Sequence, residues 1–186
     1  MEIACVGLRA SALAERASHL RVPALVVSAG ACGALAPDLA EGALVIPEAV
    51  VTEDGRRAAM QALPSLQAHG TLVTVRGVVT SAADKSRLWM EIGAIACDME
   101  SATIVEWARA QGLETAVVRG VSDTAEHGVP ADLAAAVGDD GRVRTVQAVR
   151  AALGRRGAIR DALALRRGTN AALASVAAAL ARTARA

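Results

Sequence analysis

Residues 95–125, IACDMESATIVEWARAQGLETAVVRGVSDTA, decide the fold, because they read as a strand, a helix and a second strand. Acidic residues follow both strands: Asp98 and Glu100 come after the first, and Asp123 comes after the second. In an open parallel α/β sheet, ligands bind outside the carboxyl ends of the strands. We therefore expect these carboxylates around one crevice, where they suit the binding of sugar hydroxyls and acid catalysis.

The same alternation of strands and helices covers the chain before this stretch. Apolar and β-branched runs predict strands at residues 3–8, 24–28, 42–51 and 71–80. Helical spacing predicts helices at 11–20, 85–92 and 101–112. The pattern predicts an α/β fold with a mostly parallel central sheet flanked by helices, followed by a helical C-terminal extension.

The C-terminal extension is rich in arginine and alanine. Residues 159–165 and 171–184 predict a helical hairpin broken at Gly168-Thr169-Asn170. We predict one α/β domain at 1–154 and an Arg-rich helical extension of the same domain at 155–186. Such a hairpin can lie on an anionic bilayer, which predicts peripheral membrane contact through 155–186. The alternative is that the hairpin packs on the sheet and its arginines are solvated.

Composition narrows the class of protein. The net charge of +1 argues against nucleic acid as a partner. Cys5, Cys32 and Cys97 form no CxxC pair, which fits reduced thiols in a cytoplasmic protein, and the histidines lack metal-ligand spacing, so no metal site is expected. No signal peptide is visible, and no apolar run reaches the roughly 18 residues that a membrane span needs. We expect a soluble, cytoplasmic protein.

A run of small residues follows the predicted strand at 24–28. It reads GACGAL at residues 30–35, and small residues there allow a ligand to approach the backbone closely. The run is not GxGxxG, so it does not predict a dinucleotide site. A tight turn and a ligand-binding loop are both compatible with its composition.

Four motifs occur in a fixed order along the chain. They are GACGALAPDLAEGALVIPEAVV at 30–51, GVVTSAADK at 77–85, CDMESATIVEWA at 97–108 and VVRGVSDTA at 117–125. Together they resemble the nucleoside phosphorylase and nucleosidase superfamily. The similarity to its hopanoid-associated branch, the adenosylhopane nucleosidases, continues through DDGRVRTVQAVRAALGRRGAIRDALALRR at 139–167.

The resemblance implies a role for each residue of the later motifs. Glu100 would accept hydrogen bonds from two ribose hydroxyls, and Met99 would lie against the sugar. Asp123 would protonate or hydrogen-bond N7 of the purine as a general acid, which makes the base a better leaving group. Ser122 would orient Asp123, and Arg119 would support the local charge balance.

The earlier motifs supply further expected positions. The resemblance places Cys32 and Gly33 in the family's small-residue loop, and Ser81 near the base pocket. For Asp98, we expect structural hydrogen bonds rather than chemistry.

The function that the resemblance implies is cleavage of the N-glycosidic bond of a purine nucleoside, with release of adenine from adenosylhopane in hopanoid biosynthesis. Alternatives are a methylthioadenosine or S-adenosylhomocysteine nucleosidase, a purine nucleoside phosphorylase, or a nucleoside-binding relative with little or no activity. No cofactor is expected, and phosphate would be a co-substrate only in phosphorolysis. The resemblance also implies a homo-oligomer, and a lipid substrate would place the protein at the inner face of the membrane.

The N-terminal part departs from the family pattern. Ala31 stands where the family often has serine, and the family's water-activating carboxylate would fall near Ser11 or Ala12, neither of which can act as a base. Glu15 lies one helical turn further on. If the run at 3–8 is instead a later strand, the family's first strand is missing. Arg9 is the only early candidate for phosphate binding, which favours hydrolysis over phosphorolysis.

Overall fold

A computed structural model of the chain describes residues 1–19, 24–129 and 158–185. Its strands are β1 Leu25–Ala34, β2 Leu44–Val45, β3 Ala49–Thr52, β4 Arg57–Ala59, β5 Thr71–Thr74, β6 Ala96–Asp98 and β7 Glu114–Asp123. Its helices are α1 Leu13–Ala17, α2 Ala82–Ile92, α3 Ser101–Arg109 and α4 Ala158–Thr183, and a 3₁₀ turn spans Leu8–Ala10. The predicted domain boundary between residues 154 and 155 lies outside the described residues.

The seven strands form one sheet in the order β2-β7-β1-β6-β5-β3-β4. The pairs β1–β7, β5–β6 and β3–β5 are parallel, while β1–β6, β2–β7 and β3–β4 are antiparallel. The sheet is therefore mixed: most of its paired residues belong to the three parallel pairs, while the antiparallel pair β1–β6 lies at its centre. Helices flank the sheet. The predicted fold class is confirmed, including a helix at the C-terminal end.

Strand β1 is the element that brings the acidic residues together. On one side Gly33 pairs with Asp123 of β7, and on the other it pairs with Cys97, the residue before Asp98. The first pairing is parallel and the second is antiparallel. The acidic residues lie close together, as predicted. The reason is that they flank β1 near Gly33, and not that all the strands end at one edge of the sheet.

The small-residue run at 30–34 is part of β1 and not a turn. Its pairing with β7 extends from Leu25 opposite Glu114 to Gly33 opposite Asp123, with a register shift between Cys32 and Gly33. The strand can continue because the pairing with β7 satisfies its backbone groups, and its small side chains leave the space beside it open.

The strand predicted at residues 3–8 is wrong. Ile3 is 76% exposed, and a 3₁₀ turn begins at Leu8. Gly7, Arg9 and Ala10 have φ angles of 73°, 54° and 56°, which no strand accommodates. The following helix, predicted at 11–20, is present as the shorter α1, whose Leu13 is buried.

Other predicted strands are right in place and wrong in length. The run at 42–51 divides at Pro47 into β2 and β3, and the run at 71–80 is a strand only over β5. The polar turn at 53–56 joins β3 to β4, which pairs with β3 from Ala49 opposite Ala59 and was not predicted. The helix at 101–112 is confirmed as α3.

The predicted break at Gly168-Thr169-Asn170 is wrong, since α4 is one continuous helix. A Cβ atom on Gly168 would lie 2.0 Å from the carbonyl oxygen of Ser122, so this glycine allows the helix to pack against the end of β7. The helix also buries Ala172 and Val176 against the sheet. A glycine inside a helix costs only about 1 kcal/mol relative to alanine, and the burial of this face offsets that cost. No described helix is long and apolar enough to cross a membrane.

Candidate active site

A crevice of about 220 Å³ opens beside the ends of β1, β6 and β7. It brings together six of the eight residues predicted for the site, Cys32, Gly33, Met99, Glu100, Ser122 and Asp123. Arg119 lies buried behind the crevice and contacts its carboxylates. The eighth residue, Ser81, caps α2 and does not line the crevice: its hydroxyl accepts a hydrogen bond from the amide of Asp84 at 3.0 Å.

Asp123 is held at the end of β7 by two side-chain donors. The hydroxyl of Ser122 donates to its Oδ1 atom at 2.6 Å, and the ammonium group of Lys85 donates to its Oδ2 atom. A Cβ atom on Gly33 would lie 3.1 Å from the same Oδ2 atom, so glycine leaves room for the carboxylate. Both donors bind the charged form, so Asp123 faces the crevice as an oriented carboxylate.

Lys85 is a site residue that the sequence interpretation did not assign. Its side chain is 1% exposed, and its Nζ atom lies 2.7 Å from the carbonyl oxygen of Thr124 and 2.8 Å from that of His127, in addition to its contact with Asp123. One signal was present in the sequence, because Lys85 is the single lysine among the 20 lysine and arginine residues.

Glu100 faces the same crevice from the start of α3. The backbone amide of Arg9 donates to its Oε1 atom at 2.9 Å, and its Oε2 atom lies 3.8 Å from Nη1 of Arg119. Burial raises the pKa of Glu100 above its usual value, the charge of Asp98 raises it further, and Arg119 and the Arg9 amide act in the opposite direction. Its side chain is 16% exposed, which leaves it accessible to a ligand.

Arg119 forms the buried electrostatic anchor beneath the crevice. Its Nη2 atom lies 2.7 Å from Oδ2 of Asp98 and donates at 2.9 Å to the hydroxyls of Ser28 and Ser101. Asp98 also accepts from the hydroxyl of Thr74 at 2.7 Å and from the amide of Ser101 at 3.0 Å, and its side chain is fully buried. Each oxygen of Asp98 thus has protein donors, which agrees with the structural role expected for it.

The rest of the crevice wall is aliphatic. The lining residues that carry no charge and no hydroxyl include Leu8, Val75, Val78, Val79, Val129 and Leu165. Burial raises the pKa of the Cys32 thiol well above its usual value and that of Cys97 to about 12, so both thiols stay protonated. A planar ligand here would lie against methyl groups and thiols rather than against aromatic rings.

The two N-terminal candidates, Glu15 for water activation and Arg9 for phosphate binding, do not line the crevice. Glu15 is exposed on α1 and does not line the crevice. Arg9 lines a neighbouring polar pocket of about 270 Å³, which shares Met99 and Val75 with the crevice. None of the described residues that line the crevice is an arginine. Within residues 1–19, 24–129 and 158–185, no group of His, Cys, Asp and Glu side chains is arranged to hold a metal ion.

Comparisons with known proteins agree with this fold. The sequence matches the Phosphorylase superfamily over residues 6–68 and 58–154, and no curated protein matches it. One similar solved structure is an S-adenosylhomocysteine nucleosidase from Streptococcus pyogenes in complex with 5-methylthiotubericidin, at 23% identity and a TM-score of 0.55, covering 67% of this chain and 65% of that one. Another is futalosine hydrolase from Helicobacter pylori, at 20% identity and a TM-score of 0.54, covering 66% and 65%. The chain spans about two thirds of the length of these proteins, and the likeness shows a common fold.

Proposed function

Because the chain belongs to the phosphorylase superfamily, we propose that it cleaves the N-glycosidic bond of a purine nucleoside. The observation that carries this proposal is that Glu100, Met99 and Asp123 line one crevice. A carboxylate that can take two hydroxyls and a second carboxylate that can take a ring N–H are the groups that a nucleoside requires at its sugar and base ends.

In the proposed reaction, Glu100 accepts hydrogen bonds from the 2′ and 3′ hydroxyls of the ribose and Met99 lies against the sugar ring. The bond from C1′ to the purine breaks with its electron pair moving to the base, and an oxocarbenium-like sugar develops. Asp123 assists the arrival of a proton at N7, which turns the purine into a better leaving group. Water adds to C1′ and loses a proton, so the products are a free purine and a free sugar.

Hydrolysis is favoured over phosphorolysis. A phosphate co-substrate would need cationic or multiple amide donors beside the sugar, and no described arginine lines the crevice. Lys85 lines it, but its ammonium group is already engaged with Asp123 and two backbone carbonyls. Arg119 is already engaged with Asp98 and two serines. The proposed hydrolysis consumes water and needs no cofactor.

Asp123→Asn tests the assignment of the base-binding acid. Loss of a group that assists proton transfer costs on the order of 10²–10⁴ in rate, so the variant should release adenine from adenosyl substrates at least about 100-fold more slowly than the parent. Unchanged turnover would show that Asp123 has no part in leaving-group activation. Tight nucleoside binding by the parent without adenine release would support the alternative of a binding relative.

For the 5′ substituent, we propose an adenosylated lipid, with adenosylhopane as the substrate. The resemblance at 139–167 supports it, as does the aliphatic wall of the crevice. On α4, Ile159 and Leu163 are 61% and 60% exposed beside Arg160 and Arg167, a combination that suits peripheral contact with an anionic bilayer.

Liposome sedimentation tests the membrane contact. The double variant I159D/L163D should lose binding to anionic vesicles, whereas Met90→Asp, a change at a residue 76% exposed on α2, should bind as the parent does. Equal sedimentation of all three proteins would exclude α4 as the membrane-binding element.

One observation favours a second candidate, a methylthioadenosine or S-adenosylhomocysteine nucleosidase. The pocket beside Met99 is lined by Arg9, Arg56, Arg76 and three acidic side chains, which suits the zwitterionic 5′ substituent of S-adenosylhomocysteine. Comparing kcat/KM for S-adenosylhomocysteine, methylthioadenosine and an adenosylated lipid separates the two candidates.

We also propose that the protein is a homo-oligomer and that residues 155–186 belong to the same domain as 1–154. The packing of α4 on β7 supports the second statement. Light scattering in solution tests the first, and a single mass equal to that of one chain would exclude it.

A further inference from the structure

Lys85 is buried, and all three hydrogens of its ammonium group have acceptors. It lies in the second turn of α2 with its side chain 1% exposed. Its ammonium group has three hydrogens and three acceptors: Oδ2 of Asp123, the Thr124 carbonyl at 2.7 Å and the His127 carbonyl at 2.8 Å. An ammonium group satisfies three convergent acceptors, whereas a planar guanidinium group places its donors differently.

The acceptors belong to the acid and to the loop that follows it. The described part of this loop is residues 124–129, and its Val129 lines the crevice. Its other side is packed against the start of α2, because a Cβ atom on Gly128 would lie 2.1 Å from the carbonyl oxygen of Thr80. The loop is therefore held between the residue before the Ser81 cap and the ammonium group of Lys85.

The charges of Lys85 and Asp123 depend on each other. A buried ammonium group is costly unless a counter-ion and hydrogen-bond acceptors surround it, and the carboxylate of Asp123 is the counter-ion here. The side chain of Asp123 is 14% exposed, so water screens this pair weakly. The pair persists only while Asp123 is ionised.

We propose that Lys85 is a positioning residue of the site, which holds Asp123 as an oriented carboxylate and fastens the 124–129 loop that forms the adjoining wall of the crevice. The ammonium group of Lys85 then fixes both the orientation of the Asp123 side chain and the position of the 124–129 loop. Asp123 does not store a proton at rest; the proton that reaches N7 comes from solvent, and Asp123 accepts the N7–H hydrogen bond as the glycosidic bond breaks. This last point rests on the proposed function.

Two substitutions separate the charge of Lys85 from its geometry. Lys85→Met removes the charge and keeps the length, whereas Lys85→Arg keeps the charge and changes the donor geometry. Arg87→Met, on the same helix at a side chain that is 61% exposed, is the matched control. The measurements are amide hydrogen exchange of residues 124–129, and kcat and KM for adenine release from methylthioadenosine against pH.

Lys85→Met should lower kcat by about 100-fold, with a smaller effect on KM, because the acid is misplaced. As the pH falls, its activity should decline at a higher pH than that of the parent, because the ionised carboxyl group is the active form and a carboxyl group without its cation keeps a proton longer. Lys85→Arg should keep the parent's pH profile. Both variants should exchange amide hydrogens faster in the 124–129 loop, and Arg87→Met should match the parent throughout.

Parent-like loop exchange in either folded Lys85 variant would overturn the loop assignment, and a parent-like pH profile in Lys85→Met would overturn the charge assignment. If Lys85→Met does not fold, Lys85→Arg decides: the proposal requires faster loop exchange at an unchanged pH profile, and any other combination overturns it. If the parent releases no adenine, the proposed function fails, and adenine affinity measured by calorimetry against pH takes the place of turnover in testing Lys85.

Discussion

Replacing Gly168 with alanine should destabilise the protein, although the same change inside an ordinary helix is stabilising. Gly168 lies within α4, and a Cβ atom built on it would be 2.0 Å from the carbonyl oxygen of Ser122 and 3.0 Å from its carbonyl carbon. These are backbone atoms at the end of β7, so no flexible side chain can move aside. The helix or the strand must shift.

The magnitude follows from two opposing contributions. Alanine gains about 1 kcal/mol over glycine in helix propensity. Overpacking of a buried contact costs about 1–3 kcal/mol, and a backbone contact this short belongs at the upper end. The expected net loss is about 2 kcal/mol in the free energy of unfolding, and the displaced carbonyl belongs to the residue that hydrogen-bonds Asp123.

Urea denaturation followed by circular dichroism measures this loss. With a slope of about 2 kcal/mol/M, the midpoint of Gly168→Ala should fall by about 1 M at an unchanged slope. Asn170→Ala, at an exposed position two residues further along α4, is the control and should gain about 0.5 kcal/mol. A Gly168→Ala midpoint equal to or above that of the parent would refute the close packing of α4 on β7.

Three further predictions concern the site. Nucleoside affinity should fall as the pH drops through the pKa of Glu100, which burial raises above its usual value, because only the carboxylate can accept both hydroxyls. Glu100→Gln should bind nucleoside weakly at every pH. Calorimetry that shows a pH-independent affinity for the parent would contradict this prediction. Iodoacetamide should label native protein at the exposed Cys5 and leave Cys32 and Cys97 unmodified, because burial raises the pKa of the Cys32 and Cys97 thiols. Label found on either buried thiol by mass spectrometry would contradict this prediction. Arg119→Met should lower the free energy of unfolding by about 3–5 kcal/mol, because it leaves a buried carboxylate unpaired, and a loss below about 1 kcal/mol by denaturation would count against the anchor.

The sequence was sufficient to predict the elements whose buried residues recur at the spacing of a strand or a helix. Strand β6, helix α3 and strand β7 follow from apolar runs and from the inward face of α3, where Ile104 and Val105 are buried. The N-terminal run at 3–8 has the same apolar character and forms no strand: Ile3 is exposed, and Gly7 adopts a positive φ angle. Composition does not distinguish this run from the run that forms β6. The two runs differ in their long-range contacts, because β6 pairs with β1 and β5.

The site was predictable where its chemistry rests on side chains and unpredictable where it rests on the backbone. Glu100 and Asp123 stand out as acids after buried strands. Lys85 was missed because two of its three acceptors are carbonyl oxygens, of Thr124 and His127, and every residue has such an oxygen. Gly168 was misread as a helix break for a similar reason, since the atom that it accommodates is a carbonyl oxygen 46 positions earlier in the chain.

The packing of α4 on β7 has a consequence for the order in which the protein is made. Gly168 of α4 packs against Ser122 near the end of β7, and the ribosome synthesises that glycine after the residues that line the crevice. A nascent chain that has emerged only through β7 therefore carries the acid but not the helix that fixes the neighbouring Ser122. We expect the crevice to take its final form late in synthesis, at the stage when α4 docks.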